Sequence, residues 1–181
     1  MNSDLNIYYN GIYTPNKYKQ LSVDPIGSGA FSLVYLAQDT NTKEKRAIKF
    51  MLNSKEITIM FKCKSEYIIK IFDCVFSQLN TGIVMEYFQK GDLNKEIILK
   101  KNSDLRFDQD KIFIYLFDLV EGMNYLHSNQ IIHRDIKPEN IYLANNGHIK
   151  LGDFNVSNYI DVEDVQTFTH FSTYAGILRN T

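Results

Sequence analysis

Cysteine, proline and charge of either sign in excess are what this sequence has least of. Two cysteines and three prolines occur in 181 residues, too few for a disulfide framework or a proline-rich linker. Cys63 and Cys74 also lack metal-ligand spacing, so they read as reduced thiols with no chemistry of their own. Twenty Lys and Arg against 21 Asp and Glu leave a formal net charge of −1, which excludes a basic footprint for nucleic acid and a polybasic membrane patch. The longest apolar run, Ile112 to Phe117, is far short of the roughly 20 residues a membrane-spanning helix needs. Neither a basic start nor an apolar stretch marks the N-terminus as a leader. These absences predict a soluble, cytoplasmic chain with no nucleic-acid partner and no membrane partner. Apolar types make up 44% and charged types 23%, the balance of an ordinary folded domain rather than a disordered tail.

No repeat or linker divides the chain, so one domain is expected, with residues 1–17 as a polar lead-in. From Tyr18 to Phe88 the pattern favours short strands: Leu21–Ile26, Phe31–Gln38 after a Gly cluster, Arg46–Met51 after the polar turn DTNTKE, then Ile68–Phe76 and Gly82–Tyr87. One helix interrupts them, over Lys55–Lys62. Beyond Gly91 the character becomes helical. Apolar residues at 112, 116, 119, 120, 123 and 126 follow helical spacing, with Asp108 as N-cap. Ile114, Tyr115 and Phe117 lie on other faces, so this helix needs cover nearly all round.

Four constellations carry chemistry. Ile26-Gly27-Ser28-Gly29-Ala30-Phe31-Ser32-Leu33-Val34 places glycines between two strands, where backbone N–H groups can approach an anion. A tight hairpin turn explains Gly27 and Gly29 equally well. With no helix following and no Gly-Lys-Ser/Thr ending, dinucleotide and Walker loops are excluded. Ala47-Ile48-Lys49 puts a cation at the end of an apolar strand, either for phosphate oxygens or as an ordinary surface lysine. His133-Arg134-Asp135-Ile136-Lys137-Pro138-Glu139-Asn140 crowds polar groups around a proline and so is no continuous helix. Such a loop is solvated filler or an active site. Lys150-Leu151-Gly152-Asp153-Phe154 adds a carboxylate after a short strand. Asp135, Asn140 and Asp153 form a hard-oxygen set of the kind that takes Mg²⁺ together with substrate phosphates, although Asp153 also suits a turn cap and Asn140 an ordinary loop amide.

In this order, GSGAFSLV, AIK, HRDIKPEN and GDF resemble the eukaryotic protein kinases, over about Tyr18 to Gly176. Lys137 two places after Asp135 resembles the serine/threonine type, and Asn140-Ile141-Tyr142 with KLGDF resembles the NIMA-related (Nek) group. The resemblance implies an α+β, bilobal, protein-kinase-like fold spanning 18–181, with a β-rich N lobe over 18–88 and a partial helical C lobe over 89–181. It implies ATP-dependent phosphorylation of protein Ser/Thr hydroxyls, with ATP and Mg²⁺ bound between the lobes. By position, Gly27, Ser28 and Gly29 would cover the phosphates, and Ile26, Val34 and Ala47 would sandwich the adenine. Lys49 would grip the α and β phosphates, while backbone groups of Glu86 and Phe88 would bind the adenine edge beside Met85, the gatekeeper position. Asn140 and Asp153 would hold the metal, Asp135 would orient the substrate hydroxyl, and Lys137 would steady the transferred phosphoryl group. Tyr142 reads as core.

The pattern departs from the family in three places. Glu56 is the expected partner of Lys49 on the N-lobe helix, but only six residues separate the two, far fewer than in typical kinases, so the first part of that helix reads as missing. An alternative is that Asn53 caps the helix with Glu56 at N3, which turns that carboxylate toward backbone. Asn155 stands where the family has the Gly of Asp-Phe-Gly. After Thr173, a candidate phosphorylation site, no Ala-Pro-Glu follows, and the sequence given ends at Thr181. The resemblance then implies an incomplete helical lobe whose open apolar face is covered by a partner protein or left exposed. It also keeps open a catalytically dead nucleotide-binding or interaction module. Glycine tolerates the backbone flips that move the neighbouring carboxylate, so Asn155→Gly is expected to raise the phosphotransfer rate. A rate equal to or below that of the unaltered chain, measured with a generic protein substrate, would count against this.

Overall fold

The computed structural model describes residues 6–9, 12–13, 17–29, 32–51, 59–76, 81–154 and 158–159. Glu56, Asn53, Asn155, Thr173 and the tail after Tyr159 therefore lie outside the described residues. The first part of the chain forms one antiparallel sheet in the order β2-β1-β7-β8-β6-β5-β3, with β4 paired to β5. Its strands are β1 (Asn6–Tyr9), β2 (Ile12–Tyr13), β3 (Tyr18–Gln20), β4 (Gly27–Gly29), β5 (Ser32–Asp39), β6 (Lys45–Met51), β7 (Ile71–Phe76) and β8 (Thr81–Glu86). The expected single strand at Leu21–Ile26 is instead a connector between β3 and β4, closed by the Ile26 N–H donating to the Val34 carbonyl at 2.7 Å. The polar turn after β5 forms because Asp39 Oδ1 accepts the N–H groups of Asn41 and Thr42, at 2.9 and 3.1 Å, a side-chain mimic of a backbone turn.

The segment read as a lead-in is part of the sheet. β1 pairs with β7 in the register Asn6↔Phe76, Ile7↔Val75 and Tyr8↔Cys74, and Tyr9↔Ile12 joins β1 to β2. Lys17 and the Tyr18 hydroxyl then both bond the Asp73 carboxylate on β7, the lysine at 2.7 Å.

Strand alternation divides the core. Along β6 and β8, Ile48 and Val84 join Tyr18, Ala37 and Val75 in one cluster. Ala47, Ile83 and Met85 face the other way, into a larger cluster with Ile68, Ile69, Leu126, Ile141, Leu151 and Phe154. A helical stretch α1 over 59–62 contributes Ile59 and Met60 to this second cluster. Cys63 and Cys74 are free, and burial pushes both thiols up to about 11, so neither is a reactive thiolate near neutral pH.

Two helices follow, α2 (Leu93–Asn102) and α3 (Gln109–Ser128). Asp92 caps α2 by accepting the Lys95 N–H at 2.9 Å, and Asp108, the expected cap, accepts the Asp110 N–H at 2.9 Å for α3. Gly122 lets α3 lie against the strand that carries the site, since a Cβ there would stand 3.0 Å from Leu151 Cδ1 and 3.3 Å from the Tyr67 carbonyl. Only Tyr115, Asp118, Gly122 and Leu126 of α3 are buried. Phe113, Leu116, Phe117 and Val120 are between 50 and 60% exposed, which agrees with the expected open apolar face. Short strands β9 (Ile131–Ile132), β10 (Ile141–Leu143), β11 (Ile149–Leu151) and β12 (Asn158–Tyr159) complete the described chain, with β10 paired to β11 and β9 to β12. Among the described residues no helix is long and apolar enough to cross a membrane.

α3 fixes the β10–β11 turn through Asp118, whose buried carboxylate accepts the Ile149 N–H at 2.9 Å and meets His148 Nδ1 at 3.0 Å. Removing it strands a buried donor, which costs about 1–3 kcal/mol. Asp118→Ala is therefore expected to lower unfolding free energy in urea by about that amount; a loss under about 0.5 kcal/mol, the range of ordinary surface changes, would show the turn to be held by something else.

Candidate functional site

Lys49 sits mid-sheet on β6, opposite Val34 of β5 and Ile83 of β8. Two positions on from Ala47, it shares the face that looks away from Ile48. Its Nζ lies 2.8 Å from Asp153 Oδ1, and 6% of the lysine side chain is exposed against 26% of the aspartate's. Asp153 is held there by backbone. β11 is stitched to the sheet side by the Leu151 N–H donating to the Tyr67 carbonyl at 2.8 Å and the Ile69 N–H donating to the Leu151 carbonyl at 2.9 Å. Gly152 keeps the next position clear, because a Cβ there would lie 2.1 Å from Ile69 Cδ1 and 2.9 Å from its Cγ1, so that this buried side chain would have to shift. Asp153 itself has φ of 61°, a left-handed conformation uncommon outside glycine that Asp adopts more readily than most residues.

The loop from His133 to Asn140 closes against this strand. His133 Nε2 is 2.9 Å from the Gly152 carbonyl, and the Asp135 N–H approaches Nδ1 at 3.3 Å. One ring nitrogen donates and the other accepts, which is the neutral imidazole. Burial pushes the His133 pKa below its ordinary value, and its ring packs on Phe154 with centroids 4.9 Å apart. Arg134, with φ of 65°, turns the chain so that Asp135 emerges. Asp135 Oδ2 then meets Lys137 Nζ at 2.7 Å, while Asn140 Nδ2 donates to the Asp135 carbonyl at 2.8 Å and to its Oδ2 at 2.9 Å. The Lys137 and Asn140 hydrogen bonds hold the Asp135 carboxyl below the usual carboxylate range. Pro138 opens a single 3₁₀ turn, Pro138–Asn140, and the Asn140 carbonyl accepts the Gly152 N–H at 2.9 Å, so the loop and Asp153 move as one unit.

Between sheet and helices lies a cleft of about 570 Å³. Ile26, Gly27, Ser28, Gly29, Val34, Ala47, Lys49, Met85, Glu86, Phe88, Lys137, Asn140 and Asp153 all line it. Of the sequence-predicted site residues, Asp135 is not in the wall but joins it through Asn140 and Lys137, and Glu56 lies outside the described residues. Tyr142, expected in the core, packs against it and also lines the cleft, its ring tilted on Phe88 with centroids 5.3 Å apart. The period of β10 carried that signal: Ile141 and Leu143 are buried, so Tyr142 must point the other way. Lys150 was also missed; its Nζ bonds Glu86 Oε1 at 2.8 Å. Among the described residues no three His, Cys, Asp or Glu side chains gather as a metal cage.

Residues 21–176 match the family described as the protein kinase domain. The chain belongs to that family. Among its relatives are an Aurora kinase of Patiria pectinifera, 31% identical over 154 residues, covering 77% of this chain and 37% of that protein, and a probable serine/threonine-protein kinase of Dictyostelium discoideum, 34% identical over 161 residues, covering 83% and 32%. The serine/threonine-protein kinase greatwall of Xenopus laevis is 34% identical over 147 residues, covering 75% and 16%. The chain thus spans well under half the length of these three proteins. The bilobal kinase fold expected from the motifs is the fold observed, and two of these three relatives are serine/threonine kinases by name.

Because His133 is neutral and buried, its ring is expected to titrate below 6.5, its ordinary value. The folded chain then binds fewer protons than the unfolded one, so the stability it contributes is complete above pH 6.5 and is lost as pH falls through the folded value. Ring proton shifts followed by NMR through the acid range test this, and a midpoint at or above 6.5 would remove the neutral clamp.

Proposed function

We propose that this domain, acting in the cytoplasm, transfers the γ-phosphoryl group of ATP to serine or threonine hydroxyls of a protein substrate. The observation that carries the reading is the meeting of Lys49 with Asp153, and of Asp135 with Lys137 and Asn140, at one cleft under a Gly-rich strand pair. The base would enter between Val34 and Ala47 above and Tyr142 below. At the connecting strand, the Glu86 N–H donates to the Lys70 carbonyl and the Phe88 carbonyl accepts from the Gly91 N–H. The Glu86 carbonyl and the Phe88 N–H would then face the ligand, an acceptor and a donor that match the 6-amino group and ring nitrogen of adenine.

The donor set fits Mg²⁺, which is usually held by one or two protein oxygens together with substrate phosphates. Asp153 and Asn140 supply a carboxylate and an amide oxygen at the same cleft, and the Asn140 amino group is committed to Asp135. When bound, the ion would neutralise charge on the phosphates. Lys49 would neutralise the non-reacting phosphates as a point charge fixed by burial. Asp135 stays ionised at neutral pH, so it would accept a hydrogen bond from the substrate hydroxyl, aim its oxygen and receive the proton late, as a loose transition state allows. Lys137 would follow the transferring group, its charge kept by Asp135. Positioning and electrostatics suffice for such a reaction.

The exposed apolar side chains of α3 support a protein surface as its cover. The finer likeness to the NIMA-related group rests on two short runs alone, and none of the relatives named above bears that group's name. Asp135→Asn should leave the ATP–Mg²⁺ thermal shift in place and lower phosphate transfer by roughly 10²-fold or more. A shift without transfer in the unaltered chain would indicate a nucleotide-binding module instead.

A further inference from the structure

Lys150 and Glu86 are 64 positions apart and belong to different parts of the fold, β11 and the end of β8, yet their side chains meet at 2.8 Å. Both are about four-fifths buried, at 19 and 22% exposure. An ion pair sheltered to that degree is screened less by salt than a surface pair and holds its geometry better. Its ends are also placed where geometry counts. Glu86 lines the cleft and precedes Phe88, whereas Lys150 is three residues before Asp153 on a strand held on one side by β10 and on the other by the segment 67–69. Lys150 does not line the cleft, so it cannot act by touching a ligand there.

We propose that Lys150 is a positioning residue for base recognition: through its ion pair it fixes the Glu86 peptide so that the Glu86 carbonyl faces the 6-amino group of an adenine. This rests on the nucleotide reading above and deepens it. The remaining backbone constraints support it, since the Glu86 N–H is tied to Lys70 on one side and Lys150 ties its side chain on the other. These two ties fix the Cα of Glu86, and the Gly91 N–H donating to the Phe88 carbonyl at 3.0 Å fixes the chain two residues on, so the Glu86 carbonyl between these anchors has little freedom to turn.

The experiment compares adenosine with purine riboside, which differs only in lacking the 6-amino group, by calorimetric titration of the full chain. Neither carries phosphate, so a direct pull of Lys150 on phosphate charge is removed. Lys150→Met is expected to weaken adenosine roughly three- to tenfold while leaving purine riboside nearly unchanged. Lys150→Arg and the exchanged pair Glu86→Lys with Lys150→Glu should recover most of the adenosine affinity, and they keep the test decisive if the Met variant melts without a cooperative transition. Equal losses for both nucleosides would mean general loosening and overturn the proposal, as would unchanged adenosine affinity or failure of both rescue variants. If the unaltered chain binds ATP–Mg²⁺ and purine riboside but shows no preference for adenosine, the positioning role fails and the nucleotide site stands. Binding of none of the three overturns the nucleotide reading and this proposal with it.

Discussion

A lysine ammonium taken almost wholly out of water is stable only beside an opposite charge, because the desolvation of an isolated buried ion exceeds what packing can return. Lys49 meets that condition with Asp153, 104 positions later. The pair therefore couples the middle of the sheet to the loop after β11, and most of the site is arranged around it. Gly152 has no side chain because Ile69 fills that space, and its N–H and carbonyl are bound by Asn140 and His133 respectively. A change at any of these positions moves the carboxylate relative to the lysine, so the three motifs act as one unit.

Much of this was legible in the sequence. Helical spacing with Asp108 at its head gave α3 nearly to the residue, and the apolar alternation through Ala47-Ile48-Lys49 placed the lysine on a strand. The order of the four motifs implied the kinase fold, and the cleft gathers all but two of the predicted site residues. What escaped has physical reasons. The strand pair in the supposed lead-in carried a signal, Asn10-Gly11 between runs rich in Ile and Tyr, a strong hairpin mark that polar flanks concealed. The connector at Leu21–Ile26 looked like a strand because apolar residues alternate there, yet Leu21, Val23 and Ile26 are exposed, at 43, 92 and 42%. α2 lies in the stretch read as helical beyond Gly91, but it buries no residue, so no apolar stripe marked its bounds.

Pairs distant in sequence were the least readable. Lys150 with Glu86, Asp118 with Ile149, and Lys17 with Asp73 each depend on a register that only the folded sheet and helices define. Local pattern gives a residue its face, and not its partner across the fold. Tyr142 illustrates the difference: its neighbours fix which way it points, but that this side is a cleft follows from Phe88, Gly152 and the strands above.

Phe154 is wholly buried against His133, directly after the carboxylate that meets Lys49. A backbone rearrangement that carried Phe154 away together with Asp153 would lift this phenyl ring from its seat, which forgoes about 1.5–3 kcal/mol of burial. That loss alone would hold such a form to roughly one molecule in ten to one in a hundred. An inhibitor that requires that form would bind with its intrinsic affinity reduced in the same proportion, whereas one that accepts the ring where it lies would meet nearly the whole population.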